Sequence, residues 1–279
     1  MIDIAACAVA GLAAGVALRM LLRPMFASQL LARENYRGRM VATAAGIVLP
    51  VAAVLVEAGR AVVATLGGGH QLTELRALPL LAALAFGLLG LADDLVGSGH
   101  ARGFRGHLTE LAHGRLTTGG LKLLGGAAIA AVIAGSRDPS SIGRLLADAA
   151  LIALAANLAN QLDRRPGRVT KAAVVAFVVL ALAATNEHTV EGVAVIIGAT
   201  AALFIDDLRE RLMLGDVGAN VVGACLGTSV VLAFSFPVRL GVLAVVAVLN
   251  LVGELSSFTR LIEAVPPLRA VDRAGRRDP

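Results

Sequence analysis

Two adjacent carboxylates end a long apolar stretch. Asp93 and Asp94 directly follow Gly87-Leu-Leu-Gly-Leu-Ala. Neighbouring residues on a helix point about 100° apart, so these two side chains cannot share one direction. One carboxylate could bind a hard cation while the other faces a reacting group. The pair could equally mark a helix end that reaches interfacial water, and the pattern alone leaves both interpretations open.

A second polar cluster combines two amides and a carboxylate at helical spacing. Asn157, Asn160 and Asp163 are each three residues apart, which places them along one helical face. Amides can recognise a base or bridge to a metal-bound phosphate. Asparagines in membrane helices also form hydrogen bonds between helices, so a purely structural role stays open.

Two further clusters combine charge with glycine. Asp216 lies between glycines at the start of an apolar run, where it could approach a ligand or act as a helix N-cap. Arg37 and Arg39 precede Thr43-Ala-Ala-Gly46, and arginines before a glycine-containing helix start can hold phosphate. The same arginines could serve only to orient the chain in a membrane.

The elements that must position these side chains are strongly apolar. The 279 residues are 57% hydrophobic and only 16% charged, and the mean hydropathy is +0.79. Soluble domains of this length carry more charge, so the composition excludes an ordinary soluble enzyme. The chain has two cysteines, too few for a disulfide framework or a zinc site built on cysteine.

Nine segments are candidates to cross a bilayer, which requires roughly 20 mostly apolar residues. They are Ile2–Leu22, Val41–Leu66, Leu78–Val96, Gly120–Gly135, Ile142–Leu162, Ala172–Ala184, Val190–Leu208, Val217–Phe234 and Val238–Ser257. The sequence therefore predicts an all-α, polytopic integral membrane protein with about nine transmembrane helices. Residues 1–279 are expected to form a single transmembrane domain, because no internal repeat, linker or second domain is visible.

Basic residues predict the orientation, because loops rich in Lys and Arg stay in the cytoplasm. One set of alternate loops holds Arg23, Arg33, Arg37, Arg39, Arg102, Arg105, Arg115, Arg164, Arg165, Arg168, Lys171, Arg209, Arg211, Arg260, Arg269, Arg273, Arg276 and Arg277. The opposite set holds only Arg60, Arg76, Arg137, Arg144 and Arg239. The N-terminus is therefore expected outside and the C-terminal tail in the cytoplasm.

This orientation places all four polar clusters at or near the cytoplasmic ends of helices. Charged groups at membrane depth are costly and are functional candidates by default. Three separate aspartate sites among basic loops suggest a divalent cation and a phosphorylated substrate.

The ordered set of motifs resembles the polyprenyl-phosphate N-acetylhexosamine-1-phosphate transferases, glycosyl transferase family 4, which include phospho-N-acetylmuramoyl-pentapeptide transferase. The matches run in family order through Arg37–Gly46, Asp93-Asp94, Lys122, Asn157–Asp163 and Gly215-Asp-Val-Gly218. Members of this family move a sugar-1-phosphate from a UDP-sugar onto a polyprenyl phosphate, release UMP and require Mg²⁺.

The resemblance implies a catalytic group of three aspartates. Asp216 would be a magnesium ligand, and Asp93 and Asp94 would bind metal, Asp94 in particular, or activate the lipid phosphate. Mn²⁺ could replace Mg²⁺. Such a transfer needs positioning and charge neutralisation more than covalent chemistry.

Six further residues would bind substrate, with the amides and Asp163 in the nucleotide-sugar site and Lys122 offsetting phosphate charge. They are Arg37, Arg39, Lys122, Asn157, Asn160 and Asp163. The expected partners are a UDP-sugar, polyprenyl phosphate and membrane lipids, with no nucleic acid, and a homodimer is left open. The expected location is the bacterial inner membrane, in cell-envelope biogenesis.

Two departures from the family pattern keep other functions open. The family's Asp-Gly-Leu-Asp-Gly run is here Asp163-Arg-Arg-Pro166-Gly167, so its second aspartate is lost to Pro166. Ala274-Gly-Arg-Arg stands where the family carries a His-rich motif, after the similar lead-in Pro266–Arg273. A non-catalytic relative that acts as a membrane scaffold or regulator of envelope synthesis is therefore an alternative. An unrelated polytopic transporter is the second, although transporters place charged groups near the bilayer midplane.

The topology predicts where a C-terminal reporter is active. Nine crossings that begin outside leave the C-terminus in the cytoplasm, so green fluorescent protein fused after Pro279 should fluoresce and alkaline phosphatase fused there should be inactive. The opposite pattern would contradict the predicted topology and would mean that a span has been missed or wrongly assigned.

Overall fold

The computed structural model describes residues 2–68, 71–97, 117–137 and 140–276, and it is predominantly helical. Four of the basic residues used to predict the orientation, Arg102, Arg105, Arg115 and Arg277, lie outside the described residues. The only sheet found in the described ranges is a short hairpin. The predicted all-helical class is confirmed in this coarse form.

Nine long helices in the described residues follow the nine predicted segments. They are α1 (Ile2–Leu21), α3 (Val48–Thr65), α4 (Glu74–Val96), α5 (Thr118–Gly135), α6 (Ile142–Leu162), α7 (Arg168–Ala183), α8 (Glu191–Leu208), α9 (Gly215–Ala233) and α10 (Phe236–Leu255). Eight of them are long and apolar enough to cross a membrane. The exception is α7, which has 16 residues. The chain is thus compatible with a multi-pass membrane protein.

The segment between α1 and α3 contains short elements that the sequence did not predict. Helix α2 (Arg23–Phe26) precedes an antiparallel hairpin of β1 (Ala32–Glu34) and β2 (Met40–Ala42). The segment predicted to be helical from Val41 therefore begins as a strand, forms a 3-10 turn at Ala45–Ile47 and becomes α-helical at Val48. Ala42 also forms a bridge to Leu212, which fixes the hairpin to the loop between α8 and α9.

Helix α9 lies at the centre of the bundle. It packs against α4 and α6, while α1 packs along α8 and α10 packs against the outside of α6. Most of α9 is buried, whereas Asn250 is the one buried residue of α10. Asp216 at the start of α9 is therefore held among several other helices rather than on an outer face.

Two short helices follow α10, namely α11 (Phe258–Ala264) and α12 (Pro266–Arg273). Asp272 is the buried residue of α12. Its carboxylate accepts hydrogen bonds from Arg168 at 2.8 and 3.0 Å and from Arg276 at 2.6 Å. These charge-assisted bonds hold the C-terminal segment against the start of α7.

Glycines allow α1 and α8 to approach closely. A Cβ atom added to Gly198 would lie 1.9 Å from the carbonyl oxygen of Ala8, and one added to Gly11 would lie 2.0 Å from that of Val195. Small residues at helix contacts favour association in lipid, where helices gain little from the hydrophobic effect. The α1–α8 contact therefore depends on the absence of side chains at these positions.

The substitution Gly198→Ala should destabilise the protein, because its methyl group would overlap the backbone of α1. We expect a loss of about 1–3 kcal/mol, the usual cost of overpacking. The control is Gly59→Ala in α3, where nothing lies within 4 Å of the added Cβ. That change should be neutral or stabilising by up to about 1 kcal/mol, since alanine favours helix. Thermal unfolding in detergent compares the two, and equal melting temperatures would contradict the packing described.

Candidate functional site

The carboxylate of Asp94 joins three parts of the chain. Its oxygens accept hydrogen bonds from the backbone N–H groups of Asp216 at 3.2 Å and Val217 at 3.1 Å. They also accept one from the hydroxyl of Thr43 at 3.2 Å. Asp94 of α4 therefore caps the N-terminus of α9, where a negative charge is favoured by the unpaired N–H groups and the helix dipole. Asp216 does not cap its own helix, because α9 has no side-chain cap from within its own sequence.

Glycines make this cap possible. Gly215 has φ +73°, and a Cβ atom there would lie 2.6 Å from an oxygen of Asp94. A Cβ atom on Gly90 would lie 2.5 Å from the carbonyl oxygen of Asp216. Glycine is the residue that tolerates both the left-handed conformation and the close approach. These glycines allow a neighbouring helix to approach closely. The sequence pattern alone did not distinguish this role from the close approach of a ligand.

A lysine and an amide from two other helices meet Asp216. The ammonium of Lys122, on α5, lies 2.5 Å from one carboxylate oxygen of Asp216 and 3.9 Å from Asp93. The amide of Asn160, on α6, donates to the other oxygen of Asp216 at 2.7 Å. Four helices thus bring together five residues that the sequence singled out: Asp93, Asp94, Lys122, Asn160 and Asp216.

The donor atoms at this cluster suit a small, hard cation. Asp93 and Asp216 already converge on one positive charge, the ammonium of Lys122. Within the described ranges no group of three or more His, Cys, Asp or Glu side chains is arranged to hold a metal. Mg²⁺ in phosphate-handling sites commonly takes only one or two carboxylates, together with waters and substrate phosphates. A pair of carboxylates is therefore enough to bind Mg²⁺. Lys122 contacts both carboxylates and lies where a cation would balance their negative charge.

A cleft of about 330 Å³ opens beside the cluster. This volume is at the lower end of the range for small-molecule sites. The hairpin, the connecting segments and the ends of α8 and α9 line it, with Asn35, Tyr36, Thr43, Asp163, Arg164, Arg165, Pro166, Asp207, Glu210 and Asp216 among the lining residues. The cleft and the Asp216 cluster therefore form one continuous polar region.

Asp163 lies in this cleft next to a carboxylate that the sequence analysis missed. Asp207, near the end of α8, is buried and accepts a hydrogen bond from the backbone N–H of Gly167 at 2.7 Å. Removal from water raises the pKa of Asp163 well above its usual value, and the nearby carboxylates of Asp207 and Asp216 add to this rise. Asp206-Asp207 ends an apolar helix as Asp93-Asp94 does, so the same pattern could have identified it.

Neither of the two arginines predicted to bind phosphate, Arg37 and Arg39, is among the residues that line the cleft. Arg37 forms an ion pair with Glu210 at 3.1 Å, and its guanidinium is 5.3 Å from the centre of the Tyr36 ring. The guanidinium of Arg165 lies 4.3 Å from the centre of the same Tyr36 ring, so two cations contact this ring. Arg39 is exposed at the hairpin turn. Among the described residues that line the cleft, the hairpin contributes Glu34, Asn35 and Tyr36 rather than either arginine.

Asn157 takes the structural role that the sequence left open. Its amide donates to the side-chain oxygen of Asn250 on α10 at 2.7 Å. Asn250 in turn donates to the carbonyl oxygens of Leu154 and Val246. Asn157 thus joins α6 to α10, while Asn160, one turn further along, joins the Asp216 cluster.

The lip of the cleft is tied to the C-terminal segment. The guanidinium of Arg276 donates to the carbonyl oxygen of Pro166 at 2.9 Å and also binds Asp272. Burial alone would raise the pKa of Asp272, but the hydrogen bonds from Arg168 and Arg276 outweigh it and lower that pKa below its usual value. The ionised form of Asp272 is therefore the one that stabilises the fold.

This pKa shift predicts how the substitution Asp272→Asn depends on pH. A lowered folded-state pKa contributes stability above the unfolded value of about 3.9, and this contribution is lost as the pH falls through the folded value. At pH 7 the variant should lose roughly 3 kcal/mol, because Arg168 stays buried without its counter-charge. Below about pH 4 the difference should shrink.

Thermal unfolding of parent and variant between pH 3 and 8 measures this difference. Glu263→Gln is the matched control, because Glu263 is half exposed and lies 3.7 Å from exposed Arg273. It should change stability little at any pH, since exposed ion pairs contribute little. A constant difference between parent and Asp272→Asn across the whole pH range would contradict the ion-pair account.

Comparison with known proteins adds no relative from which a function could be transferred. No protein-family model matches the chain, and no curated protein sequence matches it. A hypothesis about the reaction therefore depends on the order of the motifs and on the carboxylates, lysine and amide that converge at the start of α9.

Proposed function

We propose that the chain is a phosphoglycosyl transferase that moves a sugar-1-phosphate from a UDP-sugar to a polyprenyl phosphate and releases UMP. The observation that carries this proposal is the convergence of Asp93 and Asp216 on Lys122 beside the cleft that contains Asp163. The motif order that resembles the transferase family supplies the class of reaction.

The proposed location is the bacterial inner membrane, with the cleft facing the cytoplasm. The arginine distribution supports this orientation. It requires nine crossings and therefore requires α7 to cross with 16 residues, fewer than the roughly 20 of a typical span. Local thinning of the bilayer can accommodate a short helix at modest cost.

The proposed chemistry is an in-line transfer between phosphates. A phosphate oxygen of the polyprenyl phosphate attacks the β-phosphorus of the UDP-sugar and forms a new P–O bond. The bond from that phosphorus to the bridging oxygen breaks, and UMP leaves with the bridging oxygen. The protein's contribution to such a reaction is positioning and stabilisation of charge.

The side chains of the cluster match these tasks. Lys122 offsets negative charge beside Asp216, and Asn160 orients the Asp216 carboxylate. Asp93 and Asp216 would hold Mg²⁺ or Mn²⁺, which when bound supplies positive charge to the phosphates. This pairing differs from the pair Asp94 and Asp216 expected from sequence, because the oxygens of Asp94 are bound by backbone N–H groups at the start of α9. Those of Asp216 are bound by the side chains of Lys122 and Asn160, which can turn away when a cation binds.

A non-catalytic relative is the second candidate, and one observation favours it. Lys122 and Asn160 together occupy both oxygens of Asp216, so the cluster is satisfied without metal or substrate. A scaffold or regulator of envelope synthesis could keep the fold through these contacts. Pro166, in place of the family's second aspartate, agrees with this alternative.

An activity assay separates the two candidates. Purified protein with Mg²⁺, undecaprenyl phosphate and a panel of UDP-sugars should release UMP, and Asp216→Asn should lower the rate by at least about 100-fold, as loss of one key electrostatic group does. Glu263→Gln should keep the parent rate, because Glu263 contacts Arg273 in the C-terminal segment rather than a residue of the cluster. Folded parent protein that releases no UMP from any UDP-sugar would contradict the transferase and favour the non-catalytic relative.

A further inference from the structure

The C-terminal helices leave most of their apolar side chains uncovered. Leu261, Val265, Leu268 and Val271 are each more than 40% exposed. Asp272 is the one buried residue of α12, and α11 has none. The segment is thus held to the rest of the chain mainly by polar contacts, those of the Asp272 carboxylate and those that Lys171 donates to backbone carbonyl groups near the end of α12. Its exposed apolar side chains are left without a protein surface to pack on.

Exposed arginines accompany these apolar side chains. Arg260, Arg269 and Arg273 are exposed along the same segment. The two carboxylates of the segment are already paired, Glu263 with Arg273 and Asp272 with Arg168 and Arg276. The face that the segment presents is therefore both apolar and positively charged, which is complementary to a surface that is apolar inside and anionic outside.

The position of the segment fits the level of a membrane surface. Only Ser256 and Ser257 separate the end of α10 from the start of α11. Helix α10 is among the helices long and apolar enough to cross a membrane. A chain that leaves the bilayer at Leu255 has no length to move away from it before α11 begins.

We propose that α11 and α12 lie along the bilayer surface and bind anionic phospholipids, with the apolar side chains among the acyl chains and the arginines against the headgroups. Helices of this kind bind through buried apolar area together with attraction to anionic lipid. This inference goes beyond the transfer reaction and does not depend on it.

The binding has a consequence for the cleft. Asp272 holds the start of α7 through Arg168, and Arg276 holds the carbonyl group of Pro166 at the lip. A membrane-bound α12 therefore fixes the turn between α6 and α7, which lines the cleft through Asp163 and Arg165. The lipid surface and the candidate site are linked by these two contacts.

The chain contains no tryptophan, so a single introduced one reports on α12 alone. In nanodiscs that contain phosphatidylglycerol, Leu268→Trp and Val271→Trp should show blue-shifted emission and quenching by lipids brominated on the acyl chain. Ala270→Trp is the matched control, because residue 270 faces roughly 160° away from residue 268 on a helix. It should be quenched by aqueous iodide instead.

A second arm tests the role of charge. In the Leu268→Trp background, the triple change Arg260→Gln, Arg269→Gln and Arg273→Gln should raise the fraction of phosphatidylglycerol needed for half-maximal quenching. Each basic residue near an anionic surface changes binding by roughly fivefold, so the shift should be severalfold even for a tethered segment. The corresponding triple change to lysine keeps the charge and should keep the parent response.

Three outcomes would overturn the proposal. The first is equal iodide quenching at positions 268 and 270 in anionic nanodiscs. The second is identical emission of Leu268→Trp in phosphatidylglycerol and in phosphatidylcholine alone, which would leave no role for anionic lipid. The third is protection only in nanodiscs that hold two copies of the protein, which would assign the apolar face to a second chain. None of these readouts uses UMP release, so failure here is distinguishable from failure of the transferase proposal.

Discussion

The cap that Asp94 places on α9 is the interaction on which the candidate site depends. One carboxylate binds two backbone N–H groups of α9 and the hydroxyl of Thr43, and thereby fixes α4, α9 and the segment after the hairpin relative to one another. A charged group bonded to helix-terminal N–H groups is among the stronger local interactions available to a protein. Because Asp93 and Asp216 lie on the two joined helices, this cap also determines how far apart their carboxylates are.

The same region combines close packing with charge, and the two requirements support each other. Helices in lipid gain little from the hydrophobic effect, so close contact and polar bonds must hold them together. Gly90 and Gly215 let α4 and α9 approach until the Asp94 cap can form. Lys122 and Asn160 then compensate Asp216, which would otherwise be a costly charge at the end of a buried helix. The residues proposed to handle phosphate thus also stabilise the apo fold.

Local sequence patterns predicted the helices well and the contacts between them less well. The bounds of Ile142–Leu162 were predicted as found, because an apolar run with a serine cap ends at a polar cluster. The hairpin around Arg37 was missed, since its pairing and its bridge to Leu212 are fixed by distant residues. Asn157 and Asn160 lie one helical turn apart on the same predicted face, yet Asn157 bonds to Asn250 and Asn160 bonds to Asp216. Only the tertiary arrangement separates these roles.

The central claim is that Asp93 and Asp216 form a site for a divalent cation, and binding of Mn²⁺ tests it most directly. The electron paramagnetic resonance signal of free Mn²⁺ falls when the ion is bound, so a titration of detergent-solubilised protein counts bound ions without requiring turnover. The account predicts one saturable site that Mg²⁺ displaces, that is lost in Asp216→Asn and weakened in Asp93→Asn, and that is retained in Glu263→Gln. Equal Mn²⁺ binding by parent and Asp216→Asn, or no binding by either, would contradict it.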